Sequence, residues 1–236
     1  MKHDVQINDE KEVQQFQFKV ILLGDGAVGK TSVSIRFAED QFSQQYKQTV
    51  GVDFFTKRID LHAHAEVTLQ LWDIGGQSIG SKMLGNYIAG AHAVLLCYDI
   101  TNYESFANLE DWYRLVNKAF ASRDKEMPYC ALLANKNDLR HLTAVRMEQH
   151  NAFVEENGFG SFLMSAKNGD QVTSTFIKIA SKLSGIEYDA KDEDGRLAVA
   201  PLPATIIAHK QHDENVNEGK VPEIGTKSSG LGCQVS

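Results

Sequence analysis

The chain has little of what most specialised protein classes require. None of its apolar runs approaches the roughly 18 residues that a membrane-spanning helix needs. Cysteine is scarce: Cys97, Cys130 and Cys233 are too few and too scattered for a disulfide framework or a zinc cage, so a reducing cytosol is the expected compartment. Positive charge is outnumbered, with 24 lysines and arginines against 31 acidic residues and a net charge of −7. Sequence-independent nucleic-acid binding draws its affinity from basic side chains that neutralise phosphates, so no nucleic-acid partner is expected. The first twelve residues, Met1 to Glu12, carry no apolar core, and no secretory signal is expected. What remains, 42% hydrophobic and 23% charged over 236 residues, is the composition of an ordinary globular protein.

Aromatic residues are distributed unevenly. All 21 lie at or before Tyr188, whereas three of the four prolines (Pro201, Pro203 and Pro222) lie after it. Residues 187–236 hold nine acidic and five basic side chains and bury too little apolar surface to offset the entropy of ordering. They are expected to form a disordered tail, with residues 1–16 a disordered head and residues 17–186 one compact domain. Inside that domain, apolar strands alternate with amphipathic helices. Phe18 to Leu23, Ala93 to Tyr98, Tyr129 to Ala134 and Ser161 to Met164 read as parallel strands, while Val52–Leu61 and Glu66–Trp72 suit an antiparallel hairpin. Helices are expected over Gly29–Ala38, Glu104–Phe120, from an N-cap at Thr143 to about Gly158, and over Val172–Leu183. The fold class is therefore α/β, a three-layer sandwich with functional loops at the strand carboxyl ends.

The first such loop, Gly24-Asp25-Gly26-Ala27-Val28-Gly29-Lys30-Thr31, matches the phosphate-loop pattern between a strand and a helix. Its glycines let successive backbone N–H groups, through Ser32, turn toward phosphates, and the following helix adds its positive dipole end. Lys30 is expected at the terminal phosphates and the Thr31 hydroxyl on Mg²⁺. Base choice falls to Asn135-Lys136-Asn137-Asp138. Guanine offers N1–H and N2–H side by side, and one carboxylate, that of Asp138, can accept both, whereas adenine would leave it unpaired. Ser165-Ala166-Lys167 would add a backbone N–H to guanine O6 and a lysine stem beside the base. An adenine-nucleotide phosphotransferase would want an arginine-bearing lid, which is not found.

With these motifs in place, residues 17–186 resemble the Rab branch of the Ras superfamily. The further marks are Gly51-Val52-Asp53-Phe54, Gln70-Leu71-Trp72-Asp73, Tyr98-Asp99-Ile100-Thr101 and Ser105-Phe106-Ala107-Asn108-Leu109. The resemblance implies a P-loop NTPase sandwich with a six-stranded, mostly parallel sheet and one antiparallel edge strand. It implies that Phe42 packs across guanine, that Thr49 in the first switch senses the γ-phosphate through Mg²⁺, and that Asp73 holds the ion through water. In the second switch Gly76 would donate its N–H to the γ-phosphate and Gln77 would orient the attacking water, so that Gln77, Lys30 and Gly76 form the catalytic set. Phe54, Trp72 and Tyr87 fall on the branch's exposed aromatic triad for effectors. Ile74-Gly75-Gly76-Gln77-Ser78 departs from the usual Thr-Ala-Gly-Gln-Glu, and with Phe54-Phe55 and Asp111-Trp112-Tyr113 it resembles a divergent subtype. A monomer acting with an exchange factor, an activating protein and trafficking effectors is implied.

Cys233-Gln234-Val235-Ser236 fits a C-a-a-X box, with serine pointing to farnesyl on Cys233. One lipid binds membrane reversibly, and only Lys227 offers charge near the box. A cytoplasmic protein cycling to the cytosolic face of endomembranes, endosomal or ciliary by resemblance, with a prenyl-binding chaperone, is the expectation. His62-Ala63-His64 is read as a solvated turn rather than a metal chelate.

Overall fold

The computed structural model describes residues 13–61, 65–121 and 126–186. The head through Glu12, the His62–His64 turn, the tail and Cys233 lie outside the described residues.

Six strands form one sheet in the order β2-β3-β1-β4-β5-β6. They are β1 (Gln14–Leu23), β2 (Val52–Asp60), β3 (Ala65–Ile74), β4 (Ala93–Asp99), β5 (Tyr129–Asn135) and β6 (Gly160–Leu163). Every pairing is parallel except β2 with β3, the antiparallel edge expected from the sequence. Among the described residues six helices flank the sheet: α1 (Lys30–Glu39), α2 (Leu84–Ile88), α3 (Tyr103–Ala107), α4 (Leu109–Ala121), α5 (Met147–Asn157) and α6 (Val172–Ser184). Short 3₁₀ turns run over Gly76–Gly80 and Asn137–Leu142.

Strand pleating divides the core in two. From β1, Val20 and Leu22 point into a cluster with Val33 and Phe37 of α1 and Phe176 of α6. Ile21 and Leu23 point the other way, into a cluster with Leu84 of α2 and Trp112, Val116 and Phe120 of α4. β4 is buried along its whole length, as a strand covered on both faces must be. The Phe37 and Phe176 rings stack with centroids 4.1 Å apart, tying α1 to α6.

Three local expectations are corrected. β1 begins at Gln14 rather than Phe18, and Gln14 to Phe16, assigned to the head, pair with Ala65 to Val67. Parallel pairing draws on the backbone, so polar side chains do not end the strand. The expected Glu104–Phe120 helix is two helices broken at Asn108. Thr143 caps no helix: its hydroxyl donates back to the Arg140 carbonyl at 2.7 Å. The N–H groups of Ala144 and Val145 bond to Ile100 O, so α5 starts only after Arg146, whose N–H is accepted by the Gln149 side chain.

Candidate functional site

The carboxyl ends of β1, β3 and β5 and the loop after β6 open into one cleft of about 1320 Å³. The turn after β1 is possible only with glycine at position 24. Its φ of +137° is one that side-chain-bearing residues rarely adopt, and a Cβ there would lie 2.1 Å from the Cys97 carbonyl oxygen. Gly26, Ala27, Gly29, Lys30, Thr31 and Ser32 line the cleft floor, while Gly24 and Val28 stand behind it. Lys30 is 5% exposed, and its ammonium donates to Gly24 O and Asp25 O, both at 2.7 Å. Burial pushes its pKa down, and Asp73 is the strongest of the groups that oppose this. The ammonium is thus held at the centre of the loop.

Thr31, Thr49 and Asp73 meet at the same end of the cleft. Thr31 Oγ1 donates to Asp73 Oδ2 at 2.5 Å, Thr49 Oγ1 donates to the same oxygen at 3.2 Å, and the two hydroxyls are 2.8 Å apart. Asp73 has no exposed surface, and its Oδ1 has no hydrogen-bond partner among the described residues. Burial raises its pKa, against the Thr31 hydrogen bond and Lys30. A buried carboxylate oxygen without a donor, beside two hydroxyls, is an all-oxygen set of the kind Mg²⁺ prefers, so these residues fit the ion.

Gly76, at the start of the first 3₁₀ turn, touches the phosphate loop so closely that a Cβ there would lie 2.3 Å from Gly26 N. Gln77 beside it is exposed and lines the cleft.

At the other end of the cleft, Asn135 is 2% exposed and joins three segments. Its Nδ2 donates to Val28 O at 2.9 Å, and its Oδ1 accepts from Ala166 N at 3.1 Å. Asp138 accepts from Ser165 Oγ at 2.6 Å, with Lys167 Nζ 3.8 Å from its other oxygen. Lys136, in a left-handed conformation at φ 66°, pairs with Asp99 at 2.6 Å. Ser165 N donates to Asp170 O and Ala166 N to Asn135, so two backbone donors of this loop are already engaged within the protein. Phe42 reaches the cleft as a half-buried ring against the α1 side of the core.

Phe54, Trp72 and Tyr87 lie together, but each is half-buried rather than exposed. Phe54 and Trp72 are cross-strand partners with ring centroids 4.6 Å apart, edge to face, and Tyr87 follows at 6.5 Å. The Lys19 ammonium lies over the Trp72 ring at 3.6 Å.

Two residues, one lining the cleft and one behind its loop, were given no role in the sequence reading. Tyr46, 66% exposed, lines the opening, and its hydroxyl lies 3.7 Å from where a Gly26 Cβ would be. A lone aromatic in the first switch was its only signal. Asp25 turns its side chain toward α4, where it accepts from Asn108 Nδ2 at 2.7 Å and Trp112 Nε1 at 2.9 Å. Nothing in the spacing of these residues marks them as partners.

A phosphate loop feeding α1, with Asn135 to Asp138 closing β5 of a sheet in this strand order, sets the fold in the class of phosphate-loop GTPases. A family model described as Ras family matches residues 19–185, and the chain belongs to the Ras family, on its Rab branch. Ras-related protein Rab-28 of Caenorhabditis elegans is 41% identical over 204 residues, covering 84% of this chain and 82% of its own. Ras-related protein Rab-7L1 of Homo sapiens is 42% identical over 142 residues, covering 60% of this chain and 70% of its own. Ras-related protein Rab-13 of Bos taurus is 35% identical over 163 residues, covering 69% and 78%. The chain is accordingly a small GTPase, a GTP-binding switch.

Proposed function

We propose that the chain is a switch for intracellular membrane traffic, with GTP bound in the cleft as the active state and slow hydrolysis to GDP ending it. The observation that carries this reading is the hydrogen-bonded group of Thr31, Thr49 and Asp73, because it joins the phosphate loop, the first switch and the end of β3 at one point. A ligand that engages these groups fixes both switches, and loss of the γ-phosphate releases them.

In this reading Thr31, Thr49 and Asp73 hold Mg²⁺, which neutralises phosphate charge when bound. Lys30 and the loop N–H groups cradle the phosphates, and the Gly76 N–H takes a γ-phosphate oxygen. Gln77 orients a water whose oxygen forms a bond to the γ-phosphorus as the bond to the bridging oxygen breaks, giving GDP and inorganic phosphate. Asp138 accepts guanine N1–H and N2–H, while Phe42 and the Lys136 and Lys167 stems flank the base. Phe54, Trp72 and Tyr87 form the effector surface. Farnesyl on Cys233 and a prenyl-binding chaperone set the membrane cycle, with an exchange factor and an activating protein setting the nucleotide state.

Direct binding and single-turnover assays test the core of the proposal. Guanine nucleotides should be preferred over adenine nucleotides, and Gln77→Leu should abolish phosphate release while leaving binding intact. Tight ATP binding, or release that is unchanged in Gln77→Leu, would overturn it. The pathway is tested by affinity purification of Gln77→Leu against Thr31→Asn, where trafficking proteins should be retained only by the former. The intact mass of the cellular protein reads the lipid, and an unmodified Ser236 terminus would refute prenylation.

A further inference from the structure

Asp25 is the only acidic residue of the phosphate loop, yet it contributes no surface to the cleft. It is flanked by glycines at 24 and 26, which supply no stiffness of their own. Its main-chain oxygen accepts from Lys30, and its neighbour Gly26 is pressed against Gly76. The position of this arm decides where the loop N–H groups and the ammonium point. Its side chain runs the opposite way, to α4, where two donors are waiting. Trp112 Nε1, 87 positions away in sequence, belongs to a ring with no exposed surface. Asn108 Nδ2 comes from the break between α3 and α4, which separates two otherwise continuous helical stretches. A carboxylate only accepts hydrogen bonds, so the Asn108 amide must face it through nitrogen, and both bonds are charge-assisted. The negative charge also sits at the amino end of the thirteen-residue α4, where the helix dipole favours it.

We infer that Asp25 is a positioning residue for the nucleotide: held by Asn108 and Trp112, its carboxylate anchors the free arm of the phosphate loop to α4 and sets the rate at which bound nucleotide leaves. The inference rests on the nucleotide-binding reading above. It assigns Asp25 no contact with the ligand. The anchor acts through the backbone between Gly24 and Gly26, and the misplacement of such an arm by a fraction of an ångström weakens every phosphate contact at once. Because α4 also packs against α2 of the second switch, the anchor gives the loop and that switch a common support.

The test is the release of N-methylanthraniloyl-GDP from the full chain in Mg²⁺ buffer, chased with excess GDP. Asp25→Asn sets an amide donor against one of the two existing donors, and release should quicken about tenfold, the scale of one lost hydrogen bond to a charged group. Asn108→Asp places two carboxylates together and should quicken release at least as much. The double exchange of Asp25→Asn with Asn108→Asp restores both bonds, the one between positions 25 and 108 with its polarity reversed. The amide at 25 then donates to the carboxylate at 108 and still accepts from Trp112, and release should return to within about threefold of the parent. Loss of general packing would not be repaired by such an exchange. Should a single variant fail to fold, Asn108→Ala removes one donor at a half-buried position and should quicken release about fivefold. Singles that release at the parental rate, or a double exchange as fast as the faster single, would overturn the inference. A parent protein that retains no guanine nucleotide would instead overturn the reading beneath it.

Discussion

Replacing Asn135 by alanine removes one small side chain but strips two buried backbone groups of their partners. The Val28 carbonyl loses the Asn135 Nδ2 donor at 2.9 Å, and the Ala166 N–H loses the Oδ1 acceptor at 3.1 Å. Each orphaned group costs about 1–3 kcal/mol, and Asn135 itself, at 2% exposure, gives water little room to replace the bonds. The expected loss is therefore about 3 kcal/mol, out of a total stability of about 5–15 kcal/mol for a domain of this kind. Bound nucleotide adds RT ln(1 + [L]/Kd) of its own, so a single unfolding curve would mix intrinsic and ligand-linked effects. Urea unfolding of parent and Asn135→Ala at several GDP concentrations separates them. The intercept at zero nucleotide reports the lost bonds, and the slope reports weakened binding through the displaced phosphate and base loops. Both should change. An intercept within about 1 kcal/mol of the parent would mean that these two bonds do not hold the three segments together, and the reasoning would fail.

Asp138→Asn keeps an oxygen to accept from Ser165 Oγ but presents a donor where guanine also donates. Affinity should shift from GDP toward xanthosine diphosphate, which accepts at that edge, by at least about a hundredfold in ratio, read by competition against a fluorescent nucleotide; an unchanged preference would remove Asp138 from base recognition. His150 is 1% exposed between Tyr98 Oη at 3.0 Å and Ser161 Oγ at 2.6 Å, and burial lowers its pKa. Its contribution is present above the unfolded value of about 6.5 and is lost as pH falls from there toward the lowered folded value, because the unfolded chain takes the proton first. Urea midpoints at pH 7.5 and 5.5 should therefore draw closer between parent and His150→Gln as pH falls; a constant difference would refute the assignment.

Contiguous signals were legible and dispersed ones were not, for a physical reason. The phosphate loop and the Asn135–Asp138 segment need neighbouring residues in one turn, so their function is written in their spacing. The sheet was legible because apolar runs such as Val94 to Cys97 are buried on both faces wherever they pair. The break at Asn108 was hidden because the apolar period continues through it: Phe106 before it and Leu109, Trp112 and Val116 after it all pack on one cluster. The amide of Asn108 at that break bonds to Asp25, a partner 83 positions away that no local pattern reveals. Thr143 failed as a cap because its hydroxyl had a nearer acceptor in Arg140 O, a choice that propensity does not encode. The same holds for Trp72, whose ring takes the ammonium of Lys19 from β1. In each case the missing information is which of several competent partners a polar group takes, and that is decided by tertiary geometry. Asn135 makes the limit plain. The motif marks it for the base, yet both of its hydrogen bonds in the structure go to protein backbone. Its hydrogen bonds tie the phosphate loop to the loops that follow β5 and β6, and in the proposed function recognition of guanine by Asp138 would depend on that tie.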